Sequence, residues 1–326
     1  MEAVKQPQTL QEAIVYFSDQ ENCLNYLVSR RPEWKDGVVC PTCGSKKVGF
    51  LKNQLRWQCS NRHPKRQFSV KVGTIFEDSP LGLDKWLPAM WLILNCKNGV
   101  SSCEIARALD VTQKTAWFML HRIRLAQQSR PGKKLGKSGN PIEADETYVG
   151  GKLINMHLDR QTRMRMGKRR TGGFESKAIV MGLLERHGEA RVKVIPRSRA
   201  YYVRSNVVEN VEKGATVYTD SLRSYRNLPV DGFVHEFIDH TESYVRDNVH
   251  TNSLENFWSL LKRSLKGTYV SVEPFHLQAY ADEQCFRFNH RKATDAERFD
   301  LGVREIVGRR LTYAELTGKE GETETE

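Results

Sequence analysis

Apolar positions recur at helical spacing through the first thirty residues. Ser18-Asp19-Gln20-Glu21 carries the capping-box pattern ahead of Cys23, Leu24, Tyr26 and Leu27, so it predicts a helix start there. From 34 to 78 the pattern changes to short alternating segments such as Arg56-Trp57-Gln58-Cys59, which predict small β-hairpins. Helical spacing returns over 82–128, broken at Gly99 and again at Asp110. The segment PGKKLGKSGN at 131–140 is polar with Gly and Pro, the composition of a linker. Beyond it, strands are predicted at 143–149, 177–184, 190–195, 216–219 and 233–238, with helices at 199–213, 252–265 and 274–288. Strands with intervening and trailing helices mean an α/β domain. The end of the chain, 318–326, is acidic and poor in apolar residues, which predicts disorder. No internal repeat is visible.

Composition narrows this picture. A chain of 326 residues suits two or three domains, and 39% hydrophobic residues can build real cores. Lys and Arg outnumber Asp and Glu by 51 to 39, a net charge of +12 that favours a polyanionic partner. Nucleic acid is the commonest such partner. An anionic membrane is the rival, but no long basic amphipathic helix is present. No membrane span is predicted, because the most apolar stretch, 86–94, is short and contains Pro88. The first residues, MEAVKQPQ, lack the basic start and apolar run of a signal peptide. The expectation is therefore a cytoplasmic protein with reduced thiols, whose seven cysteines are metal ligands or core residues and not disulfides.

Cys40-Pro41-Thr42-Cys43-Gly44 is a tight turn that aims two thiolates at one point. Cys59 follows after fifteen residues and His63 after three more, a spacing that fits tetrahedral Zn²⁺. His63 is the least specific of the four, since a nearby His is also an ordinary surface residue. So small a region has little core, so the metal would supply its folding energy. Cys23, Cys96, Cys103 and Cys285 lie in helical patterns and read as core.

A helix at 101–109, a turn at Asp110-Val111, and a second helix capped by Thr112 have the form of a helix-turn-helix. Ile105, Ala106 and Leu109 would face inward, with Ala116, Trp117, Leu120 and Ile123 as the second helix's buried stripe. Gln113, Lys114, Thr115, Arg122 and Arg124 would form its exposed, DNA-facing side. The bland alternative is two packed helices with solvated charges.

Three carboxylates stand out. Asp145 sits within a strand among small or apolar neighbours, where a charge is costly without a partner. Asp220 ends another strand. Glu255 lies in the first turn of a helix, beside the apolar stripe of Leu254, Phe257, Trp258, Leu261 and Leu265, with Lys262 two turns further along. Two strand-borne Asp and one helix-borne Glu can converge at one sheet end, and carboxylates are the ligands that Mg²⁺ and Mn²⁺ prefer. Singly, each has an ordinary reading. Asp220 suits a helix cap, Glu255 a helix first turn, Asp145 an edge strand, and Glu146 competes with Asp145.

Taken in order, several segments carry a family resemblance. They are Cys40-Pro41-x-Cys43-Gly44; Arg66-Gln67-Phe68-Ser69-Val70-x-Val72-Gly73-Thr74-Ile75-Phe76; Lys114-Thr115-Ala116-Trp117-Phe118-Met119-Leu120-His121-Arg122-Ile123-Arg124; Asp145-Glu146-Thr147-Tyr148-Val149-Gly150-Gly151-Lys152; Thr219-Asp220; and His250-Thr251-Asn252-Ser253-x-Glu255-x-Phe257-Trp258-Ser259-Leu260-Leu261-Lys262-Arg263. The chain resembles bacterial insertion-sequence transposases with an N-terminal zinc ribbon and an ISXO2-like DDE domain. The resemblance implies a multidomain protein: a helical segment at 1–33, a zinc ribbon at 34–78, a DNA-binding helix-turn-helix at 80–130 and a linker at 131–140. A ribonuclease-H-like α/β catalytic domain with a mixed sheet would follow at 141–300, and a partly disordered tail at 301–326. It implies Asp145, Asp220 and Glu255 as a Mg²⁺- or Mn²⁺-binding triad, with 35 positions from Asp220 to Glu255. It implies phosphate contact by Lys262, and the charge run 151–173 next to the first Asp gives Arg169 and Arg170 the same role. The usual second knuckle is Cys-x₂-Cys, whereas this chain has Cys59-x₃-His63. The implied reaction is cleavage of a phosphodiester at element ends and transfer of the 3′-hydroxyl to target DNA, by an oligomer on double-stranded DNA. Two other readings of the residues stay open: a zinc-ribbon DNA-binding regulator without chemistry, and a structure-directed nuclease.

Overall fold

The computed structural model describes residues 6–129, 132, 134–150, 177–220, 223–238 and 250–318. The chain divides into two compact units, Met1–Gln128 with His290–Glu326, and Ser129–Asn289.

The first unit opens with helices α1 (Leu10–Phe17) and α2 (Gln20–Ser29). The cap of α2 is Asp19, whose carboxylate accepts from the N–H of Glu21 and Asn22. Ser18, expected in that role, still has helical backbone and closes α1, its hydroxyl donating to the Val15 carbonyl. The capping position is thus one residue later than the sequence pattern suggested. A three-stranded antiparallel sheet follows: β1 (Val48–Leu51), β2 (Arg56–Cys59) and β3 (Gln67–Phe68). Its small core is aromatic, with Trp57 lying 5.2 Å from Trp34 and 6.0 Å from Phe68 between ring centres. Helix α3 (Leu83–Asn95) is apolar nearly all round and correspondingly buried. Ser101 and Glu104 form a capping box before α4 (Ser102–Leu109), Asp110 turns the chain with φ of 50°, and Thr112 caps α5 (Gln113–Gln127).

In the second unit, β4 (Ile142–Val149), β5 (Ala178–Glu185), β6 (Ala190–Ile195), β7 (Thr216–Asp220) and β8 (Val234–Ile238) form one mixed sheet in the order β6-β5-β4-β7-β8. β4, β5 and β6 pair antiparallel, whereas β7 and β8 run parallel to β4. Helix α6 (Ala200–Asn210) makes the crossover between β6 and β7 and buries Val203 and Val207 with Ile142, Ala144 and Val217 on one sheet face. Helices α7 (Asn252–Ser264) and α8 (Leu277–Asn289) cover the other, where Leu254, Phe257, Trp258 and Leu261 pack against Val180 and Leu184. The expected α/β domain with a mixed sheet is therefore present, with helices on both faces.

After Asn289 the chain rejoins the first unit as α9 (Asp295–Arg304) and α10 (Tyr313–Thr317). The sheet unit thus ends at 289, earlier than the expected 300; of the expected tail, 301–318 completes α9 and forms α10, and 319–326 lies outside the described residues. The cause is apolar. Phe299 lies 4.9 Å from Trp91 and 5.5 Å from Phe17, and a Cβ on Gly302 would stand 2.6 Å from Leu94, so α9 packs tightly on α3. Cys23 and Cys285 are buried, but Cys96 is half-buried at the C-cap of α3, and Cys103 is exposed because two-turn α4 sinks only Ile105 fully. Among the described residues no helix is long and apolar enough to cross a membrane.

Candidate functional site

The thiols of Cys40, Cys43 and Cys59 and a ring nitrogen of His63 all lie within 4.8 Å of one another. Cys43 and Cys59 stand 3.6 Å apart, far too long for a disulfide, and Cys40 Sγ is 3.4 Å from His63 Nε2. Ligands around tetrahedral Zn²⁺ are separated by about 3.5–3.8 Å, given its usual bond lengths. His63 Nδ1 donates to the Pro64 carbonyl at 2.7 Å, which leaves Nε2 with its lone pair toward the thiols, the tautomer a metal ligand needs. Burial opposes ionisation of Cys40, but the N–H groups of Cys43 and Thr42 and the neighbouring thiols outweigh it and bring the thiol down to about 6. Burial pushes Cys59 the other way, with neighbouring sulfurs adding to it. The donor set and geometry fit structural zinc.

The second cluster is built on β4, whose alternation assigns each acid to a face. Ala144 belongs to the face covered by α6, and Glu146 follows it there, accepting from the Tyr225 hydroxyl at 2.7 Å. Glu143 and Asp145 face α7. Asp145 pairs with Gly182 on β5, and its Oδ2 accepts from Trp258 Nε1 at 2.9 Å. Parallel pairing of Ala144 with Thr219 makes Asp220, at the end of β7, the next neighbour of Asp145. Glu255 stands exposed in the first turn of α7.

Electrostatics ties these groups together. Burial pushes Asp145 up to about 6, against the Trp258 bond, and the charges of Asp220 and then Glu255 push it further. Burial likewise pushes Glu146 up to about 8, opposed by Tyr225 and reinforced by Asp145 and Asp220. Crowded carboxylates of this kind hold a field that a divalent cation would relieve, and oxygen donors suit Mg²⁺ or Mn²⁺. Among the described residues, only the ribbon set gathers three or more metal-binding side chains within 4.8 Å, so the three acids share a field without closing to that spacing.

Residues 137–289 match the family described as the ISXO2-like transposase domain, and residues 18–61 match the transposase zinc-ribbon domain. A Haemophilus influenzae "uncharacterized transposase-like protein" is 31% identical over 97 residues, 30% of this chain and 78% of that one. The chain belongs to the ISXO2-like transposases. A further relative, the "uncharacterized protein in transposable element ISH50" of Halobacterium salinarum, is 29% identical over 258 residues, 76% of this chain and 84% of that protein.

In this transposase-family chain the ribbon match stops at residue 61, two short of His63, so it is the geometry that brings His63 to the three thiols. Within α5, the residues expected to face DNA do not share one surface. Lys114 is exposed and Thr115 partly so at the start of α5, with the Lys114 amine 4.8 Å above the Tyr313 ring. Arg122 and Arg124 are buried, contrary to the expected exposed face. Arg122 donates to the carbonyls of Ile75, Glu77 and Leu311, because residues 305–318 return over that side of α5. Trp117, expected in the buried stripe, is only half-buried. Lys262 is half-buried on α7, and Arg169 and Arg170 lie outside the described residues. Glu143, Arg186, Gly182 and Tyr225 were not singled out from sequence, although Glu143 two residues before Asp145 on a strand was a visible same-face signal.

Proposed function

We propose that this chain is a DNA transposase that binds the ends of an insertion sequence and catalyses phosphodiester cleavage and strand transfer into target DNA. The supporting observation is the neighbouring placement of Asp145 and Asp220 on parallel strands, within electrostatic reach of Glu255 on α7. These three carboxylates would hold Mg²⁺ or Mn²⁺. Such a cation would supply charge neutralisation and Lewis-acid activation at the phosphodiester. The protein's part is positional. Trp258 orients Asp145, the sheet fixes Asp220 beside it, and α7 presents Glu255. Lys114, Thr115 and Lys262, with Arg169 and Arg170, are the side chains proposed to meet DNA phosphates. Zinc at Cys40, Cys43, Cys59 and His63 would hold the ribbon as part of the DNA-binding half. Acting on double-stranded DNA, the protein would work in the cytoplasm, as an oligomer that brings two element ends together.

The test is incubation of the purified full chain with DNA flanking its own gene, with and without Mg²⁺ or Mn²⁺, alongside Asp220→Asn. Metal-dependent nicks at fixed ends, lost in the variant while DNA binding persists, support the reading. Joined products separate transposition from nuclease action alone. Cutting that survives Asp220→Asn rejects the triad, and binding without cutting in either protein favours a regulator.

A further inference from the structure

Glu143 is fully buried, yet it carries a carboxylate two residues before Asp145. Four donors meet its two oxygens. Arg186 Nε and Ser253 Oγ bond Oε1 at 3.0 Å, while the N–H groups of Ser253 and Leu254 bond Oε2 at 3.0 Å. His250 Nδ1 lies 3.6 Å from Oε1. The N-cap residue Thr251 makes no side-chain cap bond, so Glu143, from the neighbouring strand, caps α7 in its place. Arg186 extends the connection. Its Nη2 donates to the His250 carbonyl at 3.0 Å, and its guanidinium lies 4.9 Å above the Tyr218 ring on β7.

The positions form a pattern. Glu143 precedes Asp145 by two residues, Tyr218 precedes Asp220 by two, and Ser253 precedes Glu255 by two. On a strand, residues two apart share a face and are about 6.6–6.8 Å apart along it. The pair therefore touches all three carboxylate-bearing elements: on β4 and β7 one same-face position before the acid, and on α7 in the first turn that carries Glu255. A buried ion pair is no economical route to stability, since apolar side chains of equal volume often do as well. Holding a helix end to two strands at fixed spacing is a task that apolar packing performs less directionally.

We propose that Glu143 and Arg186 are positioning residues that set the spacing of Asp145, Asp220 and Glu255 for a divalent cation. This rests on the triad assignment above. Glu143 does not itself reach the cation. It anchors the start of α7 to β4, and Arg186 carries the anchor to β7.

The experiment uses the full zinc-loaded chain and Mn²⁺ alone, titrated by the electron paramagnetic resonance of free Mn²⁺, with melting temperature recorded in parallel. Asp145→Asn tests the triad, and Glu143→Gln and Arg186→Lys test the pair. Glutamine keeps the size but offers a single acceptor oxygen. Loss of supporting partners around metal ligands typically weakens metal affinity about 10–100-fold, and that is the expected result for Glu143→Gln in the folded protein. Cleavage should show a matching fall in kcat with KM for DNA unchanged. If Glu143→Gln melts earlier but binds Mn²⁺ as wild type does, the pair is structural and the triad stands. If Asp145→Asn binds Mn²⁺ as wild type does, the triad fails and the positioning role with it. Should Glu143→Gln not fold, Ser253→Ala removes one of the four donors. A several-fold weaker Mn²⁺ affinity in that variant supports the proposal, and wild-type affinity overturns it.

Discussion

The indole Nε1 of Trp258 reaches from α7 to Oδ2 of Asp145 on β4 at 2.9 Å, and it does so across Gly182, the strand partner of Asp145. A Cβ on Gly182 would sit 2.8 Å from the Trp258 ring and 2.9 Å from Leu254, closer than real contacts allow. The glycine is there for that close approach. Its φ lies outside the left-handed region, so backbone freedom is not the reason.

Gly182→Ala should therefore act at a distance from its own size. Overpacking of a filled core costs about 1–3 kcal/mol, and here the displaced group is the donor that orients Asp145. Urea unfolding should show the lost stability, and Mn²⁺ titration a weaker site. Trp258→Phe keeps most of the ring but removes the donor. It should weaken Mn²⁺ binding with a smaller loss of stability. Wild-type Mn²⁺ affinity in both variants would mean the bond does not orient the carboxylate.

The two raised carboxyls make stability depend on pH in a stated direction. Asp145 sits near 6 against a usual 3.8, and Glu146 near 8 against 4.5. Between the usual and raised values the folded chain keeps protons that the unfolded chain has released. Their contribution therefore falls as pH rises, through about pH 4–6 for Asp145 and about pH 5–8 for Glu146. Melting scans without added divalent cation should show a lower melting temperature at pH 8 than at pH 6. Added Mg²⁺ should recover more of it at pH 8, where Asp145 is ionised. A melting temperature that is flat from pH 6 to 8 without cation, or one that Mg²⁺ raises equally at both, contradicts this.

The elements were legible because periodicity is local. Spacing alone located the hairpin strand at Arg56–Cys59, the cap at Thr112 and the strand ending at Asp220. What failed depended on partners distant in sequence. Arg122 reads as a solvent-facing residue from its own helix, and only the return of residues 305–318 buries it. Glu143 is an ordinary strand acid until Arg186 and Ser253, 43 and 110 positions away, converge on it. The shift from Ser18 to Asp19 has a smaller cause. Both are good cap residues, and the competition is settled by where α1 stops. The proposed triad comes from family resemblance, whereas the contacts around Glu143 come from the fold.

Zinc removal gives a local unfolding prediction. The ribbon's own apolar core is little more than Trp34, Trp57 and Phe68, so the metal would carry its folding. A thiol-competitive chelator should release one zinc per chain and change the near-ultraviolet circular dichroism of the two tryptophans. His63→Ala should keep the thiols but bind zinc more weakly, detectable as release at lower chelator concentration. Release no easier than from wild type would remove His63 from the ligand set.

Arg122 and Lys114, eight residues apart on one helix, should separate stability from DNA binding. Arg122 is 5% exposed and donates to three carbonyls, so Arg122→Ala strands those acceptors in the interior. Leaving buried polar groups without partners costs on the order of 3 kcal/mol here, and the loss should appear in denaturant unfolding. Lys114 is exposed at the helix start, where Lys114→Ala should change stability by no more than about 0.5 kcal/mol. If it meets a phosphate, that variant should weaken binding to any duplex and reduce the slope of log affinity against log salt by about 1. The comparison is made on folded protein at several salt concentrations. An Arg122→Ala protein of wild-type stability that loses the salt slope would reverse the assignment and put the guanidinium on DNA.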